Sequence, residues 1–220
     1  MQDRRPRLVA IAGSTRRPSK SRALAQAVAE AALDRLDLHV SIFDLIDAGP
    51  GLGAAFERES LSPEAAAIIE AVEQADALIA VSPVYKGSYT GLFKHLFDFV
   101  SPLSLVNKPV VVGATGGGHR HGLVVEHQLR PLFGFFSALT VPTSVYASDH
   151  EFSDGIPAEP GVRERIDLAS SEIHSRDVHR FVRESRRSCR PGGYLEIDPA
   201  LAVDGPRPWR VGHAGPLGGE

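Results

Sequence analysis

At 220 residues with a net charge of −3 at pH 7, the chain is long enough for one domain with a substantial core, and its charge argues against nucleic acid as the main partner. A single cysteine, Cys189, excludes an internal disulfide, and no apolar run approaches the roughly 20 residues that a membrane helix requires. Met1-Gln2-Asp3-Arg4-Arg5-Pro6 carries no apolar stretch, so no signal peptide is expected and the expected location is the cytoplasm.

The first apolar run, Leu8-Val9-Ala10-Ile11-Ala12, reads as a buried strand. Leu24, Val28, Ala32 and Leu36 then recur every fourth residue and define one face of an amphipathic helix. Leu38–Phe43 alternates like a sheet-edge strand, and residues 47–61, with Gly49, Pro50, Gly51 and Gly53, read as a loop. Ser62-Pro63-Glu64 is a helix start, with a cap, a proline at the first position and an acid in the first turn. Ala77–Val81 predicts a third strand ended by Ser82-Pro83, followed by a helix from about Thr90 to Val100. Pro109–Ala114 predicts a buried fourth strand. Gly116-Gly117-Gly118 leads into a long apolar helix to about Ser137, Leu139–Val145 makes a fifth strand, and a last helix runs from about Val162 to Ser185.

Strands alternating with helices predict a doubly wound parallel α/β sheet. The edge-like second strand and the buried first, third and fourth fit the order 2-1-3-4-5. The domain covers residues 1–187, and residues 188–220, rich in Gly and Pro without periodicity, read as an irregular tail. Arg180, Arg183, Arg186 and Arg187 fall where they complement the C-terminal dipole of the last helix.

In such a sheet ligands bind beyond the carboxyl ends of the strands, where three loops emerge. The first, Gly13-Ser14-Thr15-Arg16-Arg17-Pro18-Ser19-Lys20-Ser21, joins a strand to a helix N-terminus and offers four hydroxyls and Arg16. One serine is needed as a helix cap; the rest exceed what a cap needs and suit a phosphate monoester. Neither G-x-x-x-x-G-K-[ST] nor G-x-G-x-x-G follows the first strand. In the second loop, Ser82-Pro83-Val84-Tyr85-Lys86-Gly87-Ser88-Tyr89, apolar and aromatic groups fit against a flat ring, with backbone N–H groups near Lys86 and Gly87 for ring heteroatoms. It reads equally as a turn capping the next helix. The third, Thr115-Gly116-Gly117-Gly118-His119, either admits a planar ligand close to bare backbone or makes a tight turn.

These loops carry a resemblance over residues 7–145. G-S-x-R-x-x-S-x-S at 13–21, S-P-V-Y-K-x-S-Y-T-G-L-F-K at 82–94, A-T-G-G-G-H-R-H at 114–121 and H-Q-L-R-P-L-F at 127–133 resemble the NAD(P)H-dependent FMN reductases of flavodoxin-like fold. Among these the chain is most similar to the reductases paired with alkanesulfonate or methanesulfonate monooxygenases. The resemblance implies FMN and NAD(P)H as cofactors. It implies the FMN phosphate on Ser14, Arg16, Ser19 and Ser21; ribityl and ring against Pro83, Val84, Tyr85, Lys86 and Gly87; and the pyrimidine end against Thr115, Gly116, Gly117, Gly118 and Arg120. Hydride would pass from nicotinamide C4 to flavin N5 without a side-chain acid or base, so no catalytic residue is assigned. His119, His121 and His127 lack the spacing and the carboxylate or cysteine of a metal set.

A homo-oligomer, at least a dimer, is expected from the apolar helices carrying Leu92, Phe93, Phe97, Leu123, Val125, Leu129, Phe133 and Phe136; the resemblance implies a tetramer of paired dimers and a flavin-dependent monooxygenase as a further partner. Pro131 has no N–H for the carbonyl of His127, so the helix there should be widened or kinked, as a π turn or a proline kink. Two alternatives stay open: a quinone, azo or chromate reductase with FMN as prosthetic group, and an electron carrier, which the modest net charge disfavours.

Overall fold

The structure, a computed structural model, describes residues 5–173. Six parallel strands form its main sheet: β1 (Arg7–Ala12), β2 (His39–Asp44), β3 (Ala77–Pro83), β4 (Pro109–Gly116), β5 (Leu139–Thr140) and β6 (Val145–Ser148). The order is β2-β1-β3-β4-β5, with β6 also on β4, so the expected doubly wound flavodoxin-like topology is the one observed. Alternation sorts the central strands' side chains onto two faces. Val9, Ile11, Leu78, Ala80, Val110 and Val112 point to one apolar core. Leu8, Ala10, Ala77, Ile79, Val81 and Val111 point to the other.

Helix α1 (Lys20–Leu33) packs on the second face through Leu24, Ala25, Val28, Ala29 and Ala32, together with α6 (Pro160–Ile173). Small residues on that stripe let helix and sheet approach closely. Leu36, expected on the stripe, falls beyond the helix, which closes at Asp34. On the opposite face lie α3 (Pro63–Gln74), capped by Ser62 as read from the sequence, and α4 (Gly91–Asp98), capped by Thr90. The expected last helix is seen from Pro160 to Ile173. Its continuation, the arginines from Arg180 to Arg187 and the 188–220 tail lie outside the described residues. No helix among the described residues is long and apolar enough to cross a membrane.

Three segments depart from expectation. The 47–61 loop contains a short helix, α2 (Pro50–Ala54), and a 3-10 turn, Arg58–Ser60. Pro50 takes the first helical position after Gly49 at φ +67°, and buried Leu52 ties the segment to the core. The fifth strand is split. Leu139 pairs with Pro109 and Val145 with Gly113, so six residues on one side match four on the other. The bulge falls at Pro142, which has no N–H to give, and at Thr143, whose N–H and hydroxyl go to Glu172 of α6 at 2.8 Å each. As a result β6 runs on to Ser148 and delivers Asp149 to the ligand edge of the sheet.

The third departure is the long helix expected after the glycines. It is a 3-10 turn, His119–His121, then a π turn, Val125–Leu129, then α5 (Arg130–Phe135). The N–H of Arg130 bonds the Val125 carbonyl five residues back, so the widening anticipated at His127 takes the π form. The Arg130 guanidinium bonds both carboxylate oxygens of Glu126 at 2.6 and 2.9 Å and reaches the Val141 carbonyl at 2.8 Å, pinning the turn against the split strand.

Most apolar residues assigned to an oligomer face are internal instead. Phe93, Phe97, Val125, Leu129, Phe133 and Phe136 are buried within the chain, leaving only Leu92 and Leu123 of that set exposed, together with Phe135, which is not among them. Phe97 is the centre of that packing, with ring centroids 4.9 Å from Phe93 and 5.1 Å from Phe133, the latter edge to face. Truncating Phe97 to alanine should cost about 3–5 kcal/mol, read as a lower urea midpoint with an unchanged slope. A loss under about 1 kcal/mol would mean that these helices do not depend on the aromatic cluster.

Candidate functional site

The carboxyl ends of β1, β3 and β4 deliver the three loops to one edge, and two contacts set their spacing. Gly13 is pressed so closely into the sheet that a Cβ there would lie 2.8 Å from Ser82 Oγ and 2.9 Å from the Phe93 ring. Only glycine fits without displacement. Thr90 Oγ1 donates to the Gly13 carbonyl at 2.8 Å, and the Thr90 N–H bonds Ser82 Oγ at 3.1 Å. The second loop is thereby stitched to the first. Val84 N–H bonds the Thr115 carbonyl at 2.8 Å and joins the third.

Between the loops lies a cleft of about 290 Å³ lined by Ser14, Arg16, Pro18, Ser19, Lys20, Ser21, Pro83, Val84, Tyr85, Thr115, Gly116, Gly117 and Asp149. Ten of the residues singled out from sequence therefore share one cleft. Lys86, Gly87, Gly118 and Arg120 are not among its walls. Lys86 and Gly87, at φ +54° and +84°, are the central pair of a tight turn closed by reciprocal backbone bonds between Tyr85 and Ser88. That leaves their own N–H groups without a partner among the described residues. Ser88 Oγ donates to Gln128 Oε1 at 3.0 Å, linking this turn to the π turn.

The hydroxyls of the first loop divide their duties. Ser19 Oγ accepts the Arg22 N–H at 3.2 Å as the cap of α1 and keeps its own proton for another acceptor. Ser21 Oγ and Thr115 Oγ1, both buried, share one hydrogen bond of 2.6 Å; whichever donates, the other retains a free proton. Ser14 Oγ is buried and has no hydrogen-bond partner, alone in this among the described side chains. A buried hydroxyl without a partner costs about 1–3 kcal/mol, so its placement in this cleft fits an acceptor supplied from outside the chain. The hydroxyls and the N-terminus of a 14-residue helix converge on a position that suits a tetrahedral oxyanion.

The two arginines of the loop have opposite fates. Arg17 bonds Asp44 through Nε at 2.8 Å and a terminal nitrogen at 2.9 Å, and Asp47 at 2.6 Å. Hydrogen bonds to Asp44 first, then Asp47, hold its charge more firmly than that of a free guanidinium. Asp44 is buried at the end of β2 and also accepts the N–H groups of Ile46 and Asp47, so Arg17 fastens the loop to the sheet. Arg16, by contrast, has no partner among the described residues and lines the cleft.

Sequence reasoning missed Lys20, Pro18 and Asp149 as cleft walls, and Tyr146 as a support. Tyr146 Oη donates to the Gly118 carbonyl at 2.6 Å and lies 2.5 Å from where a Gly116 Cβ would sit. Burial, then the charges of Glu151 and Asp149, push the Tyr146 hydroxyl's pKa up and keep it a donor. Gly116 is thus required by the approach of that phenol. No local motif marks Asp149 or Tyr146; both depend on where the split strand runs.

Comparison with known proteins agrees with this geometry. Residues 6–153 match the family described as NADPH-dependent FMN reductase. The chain is 46% identical over 165 residues to the NADH-dependent FMN reductase SfnF of Pseudomonas fluorescens, covering 74% of this chain and 88% of that one. To an FMN reductase (NADPH) of Pseudomonas aeruginosa it is 44% identical over 165 residues, with the same coverage of 74% and 88%. Among solved structures, an oxidoreductase from Corynebacterium diphtheriae superposes with a TM-score of 0.70 at 32% identity, covering 78% of this chain and 96% of that one. The apo form of the NADH:FMN oxidoreductase EMOB gives 0.69 at 29%, covering 76% and 88%. A family match over that span and relatives at such identity leave one conclusion: the chain belongs to the NADPH-dependent FMN reductase family.

Proposed function

We propose that this protein uses NAD(P)H to reduce FMN in the cytoplasm and passes the reduced flavin to a partner monooxygenase. In this reading the FMN phosphate sits on Ser14, Arg16, Ser19 and the Ser21–Thr115 pair. The observation that carries the reading is the buried Ser14 hydroxyl, whose hydrogen-bonding capacity nothing in the described chain meets. A neutral ligand would satisfy it equally, but the helix N-terminus and unpaired Arg16 beside it favour an anion. Relatives named as NADH-dependent FMN reductases, SfnF in Pseudomonas fluorescens and SfnE in Pseudomonas putida, support reduction of FMN by a nicotinamide cofactor.

Bound FMN supplies a ring whose N5 accepts a hydride from the nicotinamide. The chain's own residues do the rest. Pro83, Val84 and Tyr85 form the wall against which the ring lies, and the Lys86-Gly87 turn offers unpaired N–H groups at its rim. The glycine loop, braced by Tyr146, keeps backbone donors close to the pyrimidine end, where negative charge accumulates on reduction. No acid or base is needed. The π turn, tied to the ring loop through Gln128 and Ser88, supports a site from which FMN is exchanged rather than permanently held.

The exposed Leu92 of α4 and Phe135 of α5, with Leu123 in the turn before the π turn, support self-association, since the neighbouring apolar residues of those segments are internal. A homodimer or tetramer would cover them.

Arg16→Ala should weaken FMN binding about tenfold or more, in line with a charge-assisted bond of about 1.5–3 kcal/mol, and leave riboflavin binding unchanged. Equal loss for both flavins, or none, in a fluorescence titration would remove Arg16 from the phosphate. For assembly, sedimentation at micromolar concentration should give a dimer or larger species that Leu123→Glu with Phe135→Glu shifts toward monomer. A wild-type monomer would refute the oligomer.

A further inference from the structure

The first turn of α1 carries two cations, Lys20 and Arg22, and no acid. Cations at a helix N-terminus oppose the helix dipole, so each needs a compensating anion. Arg22 has Asp47, at 2.9 Å on the side away from the cleft. Lys20 has Asp149, across the cleft. Its Nζ donates to Asp149 Oδ1 at 2.8 Å and to the Asp149 carbonyl at 3.3 Å, and lies 5.6 Å from the centre of the Phe152 ring. These residues are 129 positions apart. Their pair joins α1, the helix into which the phosphate loop runs, to the turn after β6. Both line the cleft.

Asp149 is out of place in an anion site. Its second carboxylate oxygen lies 4.0 Å from where a Cβ of Gly117 would sit, so it faces the glycine loop. Among the described residues that oxygen has no hydrogen-bond partner. Opposite stand the hydroxyls of Ser14 and Ser19 and the Arg16 guanidinium, arranged for negative charge. A phosphate dianion entering this cleft meets this half-exposed carboxylate whichever way Lys20 turns. If Lys20 stays with Asp149, the phosphate forgoes its cation. If Lys20 swings to the phosphate, Asp149 is left unpaired beside it. Either way the carboxylate opposes binding.

We propose that the Lys20–Asp149 pair is a strap across the flavin cleft whose carboxylate weakens the hold on the FMN phosphate, making Asp149 a determinant of flavin affinity and release. It rests on the phosphate reading given above. It gives an enzyme that surrenders its flavin a means to do so: the hydroxyls and Arg16 select a phosphorylated flavin, and Asp149 keeps that selection from becoming retention. Asparagine at 149 retains the shape and a carbonyl acceptor for Lys20 while removing the charge.

The test is a fluorescence titration of the full chain with FMN and with riboflavin at low ionic strength, for wild type, Asp149→Asn, K20M and the double variant. Asp149→Asn should tighten FMN about three- to tenfold, the scale of one partly solvated charge on another, and leave riboflavin unchanged. K20M, which leaves the carboxylate uncompensated, should weaken FMN alone, and adding Asp149→Asn to K20M should recover that loss. Stopped-flow displacement should show the gain of Asp149→Asn as slower FMN release. The strap is overturned if Asp149→Asn leaves FMN affinity unchanged, lowers it, or raises both affinities equally. Should that single variant not fold, failure of the double variant to recover what K20M loses overturns it. Equal affinity of the wild type for the two flavins would instead refute the phosphate reading beneath it.

Discussion

The site hangs on the contact that fixes Gly13. Because Gly13 has no side chain, the end of β1 can lie against Ser82 and Phe93, and the Thr90 hydroxyl can reach its carbonyl. That one approach sets the distance between the first and second loops of the cleft, while α4, which Thr90 caps, carries Phe93 and Phe97 into the core beneath. Packing and ligand geometry therefore share the same atoms. A methyl group at residue 13 would push the loop outward before it touched any ligand.

Charge is the second organising element. Four basic residues stand within seven positions, Arg16, Arg17, Lys20 and Arg22, and three of them are answered from within the chain. Asp44 and Asp47 take Arg17 and Arg22, and Asp149 takes Lys20. The residual field at the helix N-terminus is that of one guanidinium and a set of hydroxyls. In the reading proposed above, such a site takes a phosphate monoester by fit and hydrogen bonding more than by net charge, which goes with moderate, exchangeable binding.

The central architecture was legible in the sequence because β1, β3 and β4 are buried on both faces and read as uninterrupted apolar runs. The loops that share the cleft were legible because they carry compositional marks, serines before a helix and bare glycines after a strand. The π turn was foreshadowed by Pro131, whose missing N–H is a local property. What stayed hidden is long-range. The split of the last strand depends on Thr143 finding Glu172, and Asp149 reaches the cleft only because that split extends β6 to Ser148. Which of Arg16 and Arg17 remains free depends on Asp44, 27 residues from Arg17. The oligomer expectation counted core phenylalanines as surface, since helical periodicity does not say how many neighbours a helix has.

Flavodoxin-like chains use FMN either as a fixed prosthetic group or as a substrate that leaves, and the exchange proposed above rests on the Asp149 carboxylate in the cleft and on the π turn tied to Ser88 through Gln128. The measurement that separates the two is the initial-rate pattern with NADH and FMN varied together, repeated with NADPH. Exchange through a complex holding both substrates predicts double-reciprocal lines that converge; parallel lines, with turnover sustained by flavin that copurifies with the protein, would contradict it.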